Sequence, residues 1–87
     1  MSTDRYDDLE YTPLDIGARI TQLRKQKNMS MYALAMSSGL DDTIILRSEN
    51  GEREPKIGTL LKIIDGLEIS VADFFQVFNK YGNSVPN

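Results

Sequence analysis

The sequence lacks two residue types on which much protein chemistry depends. None of its 87 residues is a cysteine or a histidine. Without cysteine there is neither a disulfide framework nor a cysteine-rich zinc site. Without histidine the chain also lacks the most common general base and the most common metal ligand. These absences argue against an enzyme and favour a protein that binds a partner and needs no cofactor.

Long apolar runs are absent as well. The longest has six residues, from Met31 to Met36, whereas a membrane-spanning helix needs about 20. The first residues carry acids where a signal peptide needs a basic and then an apolar region. We therefore expect that the protein has no membrane partner and that it works in a reducing compartment. A chain of this length forms one small domain rather than a multidomain enzyme.

The chain has no excess of positive charge. Ten Lys and Arg stand against 13 Asp and Glu, so the net charge is −3, and an acidic protein is a poor first candidate for nucleic-acid binding. The acids are unevenly distributed, however. Residues 1–15 hold five acids and one base, a local charge of −4, which leaves +1 for residues 16–87. The acidity is therefore largely confined to the beginning of the chain.

Composition and helix signals divide the chain into three parts. Residues 1–12 are polar and acidic, and they are predicted to form a flexible N-terminal arm. Residues 13–80 carry the helical patterns and are predicted to form the domain. Residues 81–87 are turn-rich and are predicted to be a C-terminal tail.

Start and stop signals predict five short helices and no strand. Thr12 and Asp15 fit a capping box around Pro13, which suits a first helical position. Three further N-cap residues open later segments: Ser30, Asp41 and Ser70. Asn28, Gly39 and Asn50-Gly51 end segments. The fourth segment is amphipathic and carries Ile57, Leu60, Ile63, Ile64 and Leu67. The sequence thus predicts an all-α fold.

The second and third predicted helices fit a helix-turn-helix. Such helices cross closely, so the first needs a small residue at the crossing, and Ala35 supplies it. The turn needs a residue that tolerates positive φ four positions later, where Gly39 lies. Leu34, Leu40 and Ile45 are available to attach both helices to the core. Small-residue helical hairpins are common, so this pattern alone is moderately specific.

The surrounding residues resemble the Cro/C1-type (Xre, or lambda repressor-like) helix-turn-helix family over roughly residues 16–75. The most specific part is Glu49-Asn50-Gly51 with Pro55 downstream. The other matching residues are Ile20, Leu23, Arg24, Ser30, Leu34, Ala35, Gly39, Leu40, Ile45, Arg47, Thr59 and Leu60. The resemblance implies a five-helix DNA-binding domain, a bacterial or phage transcription regulator in the cytoplasm, and double-stranded operator DNA as its partner.

The resemblance also implies roles for individual residues. The recognition helix runs from about Asp42 to Glu49, and its first part meets base edges in the major groove. The implied base contacts are Asp42, Thr43, Leu46 and Arg47. The implied phosphate contacts are Ser30, Met31, Asn50, Gly51, Arg53 and Lys56. Arg24 and Glu49 match a structural ion pair that joins the first helix to the third.

Several residues depart from the family pattern. Met31 stands where relatives usually carry Gln, and Ser48 where they carry a bulky apolar residue that faces the core. Ile44 and Leu46 are apolar on a helix whose outer face is usually polar, and acids lie near them. A second hypothesis therefore remains open: Met31, Ile44 and Leu46 form an apolar patch, and the fold serves as a protein-interaction module.

The last helix carries more aromatic residues than one face of a small core can hide. Phe75 matches a core position of the family. Phe74, Val77, Phe78 and Tyr81 are left as candidates for a homodimer interface. A dimer suits an operator whose two half-sites lie about 34 Å apart or a multiple of that distance.

The role of the acidic N-terminal arm is open at this point. Three hypotheses are open: the arm has no role, it shields the DNA-binding face by competing with phosphates, or it docks on a protein partner.

Overall fold

Five helices make up most of the described chain. The structure, a computed structural model, describes residues 12–78. The helices are α1 (Pro13–Gln26), α2 (Met31–Ser38), α3 (Asp42–Glu49), α4 (Ile57–Gly66) and α5 (Val71–Phe75). These residues contain no strand, and the all-α prediction is confirmed. Among them, no helix has the length and apolarity needed to span a membrane. The arm before Thr12 and the predicted tail lie outside the described residues.

Capping hydrogen bonds are present at three of the four helix starts for which a capping residue was predicted. The Thr12 N–H donates to the Asp15 carboxylate at 2.8 Å. The Ser30 Oγ accepts from the Ala33 N–H at 2.9 Å, and the Ser70 Oγ accepts from the Asp73 N–H at 3.0 Å. Asp41 takes the N-cap position of α3, but its side chain makes no capping hydrogen bond. The start of α3 is therefore the least satisfied helix start of the predicted set.

A residue in the left-handed backbone conformation follows each of the helices α1, α2 and α3. The φ angles are 57° at Asn28, 72° at Gly39 and 74° at Gly51. A Cβ at Gly39 would meet no atom within 4 Å, so the need for glycine there is conformational. The predicted helix-turn-helix turn is thus present at the expected residue.

The core joins all five helices. α2 packs on both α3 and α4, α1 packs on α3, and α5 packs on α4. The small Ala35 is buried on α2, as the predicted crossing requires. The buried apolar residues are Ile20, Leu23, Leu34, Ala35, Ile45, Leu60, Ile63, Ile64, Leu67 and Phe74.

The burial of two aromatic residues on α5 is the reverse of the prediction. Phe74 is fully buried and Phe75 is 36% exposed, so the assignment of Phe75 to the core is wrong. Because Phe74 has no exposed surface, its side chain cannot contribute directly to a dimer interface. Ile57 is also exposed, because it is the first residue of α4 and lies beyond the packed part of that helix.

α1 and α3 approach each other through a glycine. A Cβ at Gly17 would lie 2.3 Å from the Ser48 carbonyl oxygen and 2.5 Å from that of Glu49. A hydrogen is the only substituent that this spacing admits. Ser48 itself is fully buried, and its hydroxyl has no hydrogen-bond partner within residues 12–78. Ser48 therefore does face the core, although it is small and polar.

Replacing Gly17 by Ala should destabilise the protein by about 1–3 kcal/mol, because backbone atoms at the contact cannot rotate away. Urea unfolding monitored by circular dichroism measures this change. Gly58 is the matched control: it lies in α4, and a Cβ there would meet nothing within 4 Å. G58A should stabilise the protein by about 0.4–1 kcal/mol. Equal effects of the two substitutions would contradict the close approach of α1 and α3.

Candidate nucleic-acid interface

The short helix α3 has one buried face and one exposed face. Ile45, Ser48 and Glu49 point into the protein and are buried. The four residues proposed to contact bases all lie on the exposed face: Asp42, Thr43, Leu46 and Arg47. Leu46, the apolar member of this set, is 43% exposed. α3 therefore presents a continuous accessible row of side chains while its other face is held by the core.

The predicted ion pair holds the inner end of α3 against α1. The Arg24 Nε lies 2.6 Å from the Glu49 Oε2, and the Arg24 Nη2 lies 3.1 Å from Oε1. Both side chains are nearly inaccessible to solvent. The Thr21 hydroxyl donates to Glu49 Oε1 at 2.8 Å, and the Arg24 Nη1 donates to the Met29 carbonyl at 2.8 Å. Each group of the pair is thereby oriented by additional hydrogen bonds.

Four of the predicted contact residues meet in one shallow cleft. Met31 at the start of α2 and Asp42, Thr43 and Leu46 of α3 line a space of about 210 Å³. The N-terminal end of α2 and the first turn of α3 converge there, so amide N–H groups and side chains face the same region. The Ser30 hydroxyl caps only the Ala33 amide. The structure thus brings together residues that are up to 15 positions apart in the sequence.

The loop after α3 offers side chains rather than backbone amides. The N–H groups of Asn50, Gly51 and Arg53 donate to the carbonyls of Leu46, Ser48 and Arg47, respectively. The Asn50 side chain donates to Glu52 at 3.3 Å. Arg53 and Lys56 are exposed and line a second cleft of about 150 Å³ between α3 and α4. Among the predicted phosphate contacts in this loop, the Gly51 amide is therefore used within the turn. The side chains of Arg53 and Lys56 remain accessible.

α1 contains Arg19, Arg24 and Lys25, but it contributes less positive charge to the surface than this composition suggests. Arg24 is buried in the ion pair. Arg19 is also buried, and its guanidinium donates to the Phe74 and Asp73 carbonyls at 2.8 and 2.6 Å. Arg19 thus ties α1 to the last helix. The sequence carried no signal for this role, because the acceptors are backbone oxygens.

The exposed charges of residues 41–56 nearly balance. Arg47, Arg53 and Lys56 supply three positive charges, and the exposed acids of the same segment supply four negative ones: Asp41, Asp42, Glu52 and Glu54. Binding of a polyanion here depends on the arrangement of a few cations and amides, since the surface has no general positive excess. Within residues 12–78, no group of acidic side chains is arranged to hold a metal ion.

Sequence reasoning missed the contact between Leu14 and the loop after α3. A Cβ at Gly51 would lie 2.4 Å from the Leu14 Cδ2 and 3.1 Å from its Cα. The first turn of α1 therefore lies directly against the candidate interface.

Comparisons with known proteins agree with this arrangement. A helix-turn-helix family model of the Cro/C1 type matches residues 20–74. The restriction-modification controller protein C.AhdI from Aeromonas hydrophila is 32% identical, with 72% of this chain and 96% of that chain covered and a TM-score of 0.69. The controller protein C.Esp1396I, solved as a tetramer in complex with its natural 35-base-pair operator, is 32% identical over 83% and 95% of the two chains, with a TM-score of 0.76. None of the curated protein sequences matches significantly.

Replacing Arg24 by Met should destabilise the protein by about 3–5 kcal/mol, because Glu49 then remains buried without its counter-charge. Urea unfolding measures the loss. The double variant R24M/E49M should recover most of it, since two apolar side chains of similar volume need no counter-charge. Lys25 is exposed on the same helix, so K25M should change stability by less than about 0.5 kcal/mol. If R24M behaved like K25M, the pair would not be buried.

Proposed function

Because the chain belongs to the Cro/C1-type helix-turn-helix family and is a sequence-specific DNA-binding transcription regulator, we propose that it binds its operator as a homodimer. Each subunit inserts α3 into the major groove. In this arrangement the two recognition helices read two half-sites on one face of the duplex. The protein acts in the bacterial cytoplasm, where its operator is accessible.

The observation that carries the proposal is the exposed row on α3. Arg47 can bond guanine O6 and N7 with two donors, and Thr43 can bond a base edge or contact a thymine methyl group. Asp42 can accept from the cytosine amino group, and the exposed Leu46 can contact a thymine methyl group. The chemistry of these four side chains suits base edges in the major groove.

The residues around α3 suit the sugar-phosphate backbone. The amides at the start of α2, near Ser30 and Met31, form a helix N-terminus that attracts a phosphate. On the other side of α3, Arg53 and Lys56 can pair with phosphates, and the Asn50 side chain can leave its exposed bond to Glu52 for a phosphate oxygen. Contacts on both sides would set the depth and orientation of α3 in the groove.

The nature of the relatives suggests the genes that are regulated. The two solved structures compared above are of restriction-modification controller proteins, and one contains a tetramer on its operator. Up to 97% of such a chain is covered by the match, so the similarity extends beyond the helix-turn-helix itself. We infer that this protein controls transcription of a restriction-modification locus.

The dimer interface is proposed at α5 and the turn that follows it. Val77 is 51% exposed, and together with Phe78 it lines a groove of about 420 Å³ against α1. Val71 and Phe75 add exposed apolar surface on α5. Tyr81, the remaining predicted member, lies outside the described residues. These neighbouring exposed apolar side chains, on α5 and in the turn after it, would be buried by a subunit contact.

A second candidate function uses the same face of α3. Leu46 and the half-buried Met31 and Ile44 provide apolar surface, and Asp41 and Asp42 lie beside them. A protein partner with an apolar and basic surface would suit this patch.

Selection of binding sites from a random duplex library tests the proposal directly. We expect a two-fold symmetric consensus to be enriched. With that operator, R47A should weaken binding by about 1–3 kcal/mol and relax the preference at one base pair per half-site. Fluorescence anisotropy with single-base variants of the operator measures both effects. Failure to enrich any sequence at low salt would favour the protein-interaction module.

Arg53 provides the contrast to Arg47. R53Q should weaken binding to all duplexes alike and lower the slope of log K against log salt by about 1. A titration of affinity against salt concentration measures the slope. If R53Q changed base preference instead, Arg53 would be a base contact rather than a phosphate contact.

Replacing Val77 by Asp should convert a dimer to a monomer, because a carboxylate would be buried in an apolar contact. Sedimentation equilibrium at micromolar concentration measures the mass. Met36 is the matched control, since it is exposed on a different helix, α2, and M36D should leave the dimer intact. A monomeric wild-type protein at this concentration would contradict the proposed interface.

A further inference from the structure

A single arginine of α1 binds the backbone of α5 at two points. The Arg19 Nε donates to the Phe74 carbonyl at 2.8 Å, and its Nη2 donates to the Asp73 carbonyl at 2.6 Å. The remaining nitrogen, Nη1, donates to the Gln22 side chain at 2.8 Å, one turn further along α1. Because a guanidinium is planar and its donors have a fixed spacing, these bonds fix its orientation relative to both helices. Arg19 is buried, so solvent has little access to them.

The short helix α5 has few other means of being fixed at its C-terminal end. Its five residues form about one and a half turns, and Phe74 is the buried one among them. The carbonyls of Asp73 and Phe74 lie in the last turn, where helix carbonyls lack partners within the helix. Arg19 supplies partners to both at once. Arg19 therefore fixes the end of α5 against α1.

The same helix, α1, also holds the recognition helix. Arg24 lies five residues after Arg19 and forms the ion pair with Glu49 of α3. Gly17 lets the backbones of α1 and α3 approach each other closely. α1 is thus bound on one side to the helix that is proposed to read bases and on the other to the helix that is proposed to join two subunits. The angle between α3 and α5 is transmitted through it.

We propose that Arg19 is a positioning residue that determines which half-site spacing the dimer accepts. The inference rests on the proposed function, because it requires two subunits joined at α5. Arg19 itself contacts no DNA in this arrangement. It acts through α5, whose orientation determines where the two recognition helices lie relative to each other. The two-fold axis repeats any change of that orientation in the second subunit.

Small rotations of α5 are large on the scale of DNA. Half-sites about 34 Å apart place each recognition helix about 17 Å from the two-fold axis. A change of about 10° in the angle between α5 and α3 then moves that helix by about 3 Å, close to the rise of one base pair. A dimer whose α5 is fixed accepts one spacing. A dimer whose α5 can rotate accepts several, each at lower affinity, because binding must then order α5.

The test measures how the affinity of R19M depends on half-site spacing. The selected operator is rebuilt with unchanged half-sites whose separation is one base pair shorter or longer, which rotates one half-site by about 34° relative to the other. By fluorescence anisotropy, the wild-type protein should bind both altered operators at least about tenfold less tightly. R19M should bind the original operator about three- to tenfold less tightly than wild type and lose less than about threefold more at the altered spacings.

Two matched controls separate positioning from charge and from stability. K25M also removes one positive charge from α1, at an exposed residue. I20V removes one methylene from the buried residue next to Arg19. A loss of stability lowers the folded fraction and therefore the affinity at every spacing alike. Both controls should keep the wild-type ratio of affinities between spacings.

A monomeric variant separates positioning from dimerisation. V77D should bind an operator with two half-sites no more tightly than one with a single half-site, at any spacing. R19M should sediment as a dimer and retain the gain from the second half-site. A monomeric R19M would overturn the proposal, because Arg19 would then hold the subunits together rather than orient them.

R19K provides a second variant of the same residue. Lysine keeps the charge and the stem, but one ammonium group does not reproduce the planar set of donors, so R19K should relax the spacing preference in part. A wild-type ratio between spacings in R19M, or in R19K if R19M did not fold, would contradict the role of Arg19 alone. A wild-type protein that binds DNA without any spacing preference would refute the proposed homodimer, and the inference with it.

Discussion

The orientation of the recognition helix depends on one buried ion pair, between Arg24 and Glu49. The Glu49 carboxylate also accepts a hydrogen bond from Thr21, and the Arg24 guanidinium also donates to the Met29 carbonyl. Both ions therefore have hydrogen-bond partners beyond each other. Because burying two charges has a large desolvation cost, the pair adds little net stability. Its effect is geometric: it fixes the last turn of α3 against α1, where Gly17 allows the two backbones to touch.

The electrostatics of the molecule follow from how its few cations are used. Arg19 and Arg24 hold helices together, which leaves Arg47, Arg53 and Lys56 as the accessible cations of the loop and recognition helix. Non-specific affinity for DNA scales with the number of phosphates neutralised. With so few accessible cations around α3, we expect weak non-specific binding and a larger share of the affinity from base contacts. Low basicity is compatible with selective operator recognition.

Much of this fold could be predicted because its signals are local. Thr12, Ser30 and Ser70 cap helices from within one turn, and Gly39 ends α2 by its own conformational freedom. Which of Phe74 and Phe75 is buried could not be predicted, because α5 has only five residues and a helical period is recognisable only in a longer segment. Arg19 was unpredictable for another reason: its acceptors are carbonyls about 55 positions away, and every residue type carries a carbonyl. In the site, the motif predicted the exposed row on α3. It could not predict that the loop amides donate to carbonyls of α3, because those hydrogen bonds depend on the geometry of the turn.

The division of α3 into two faces has a consequence for the evolution of its target. Ile45, Ser48 and Glu49 are buried and hold the helix in position, whereas Asp42, Thr43, Leu46 and Arg47 are exposed. Substitutions in the exposed row are therefore nearly neutral for folding. Under the proposed mode of binding, operator preference can therefore diverge between descendants of this protein without a loss of stability.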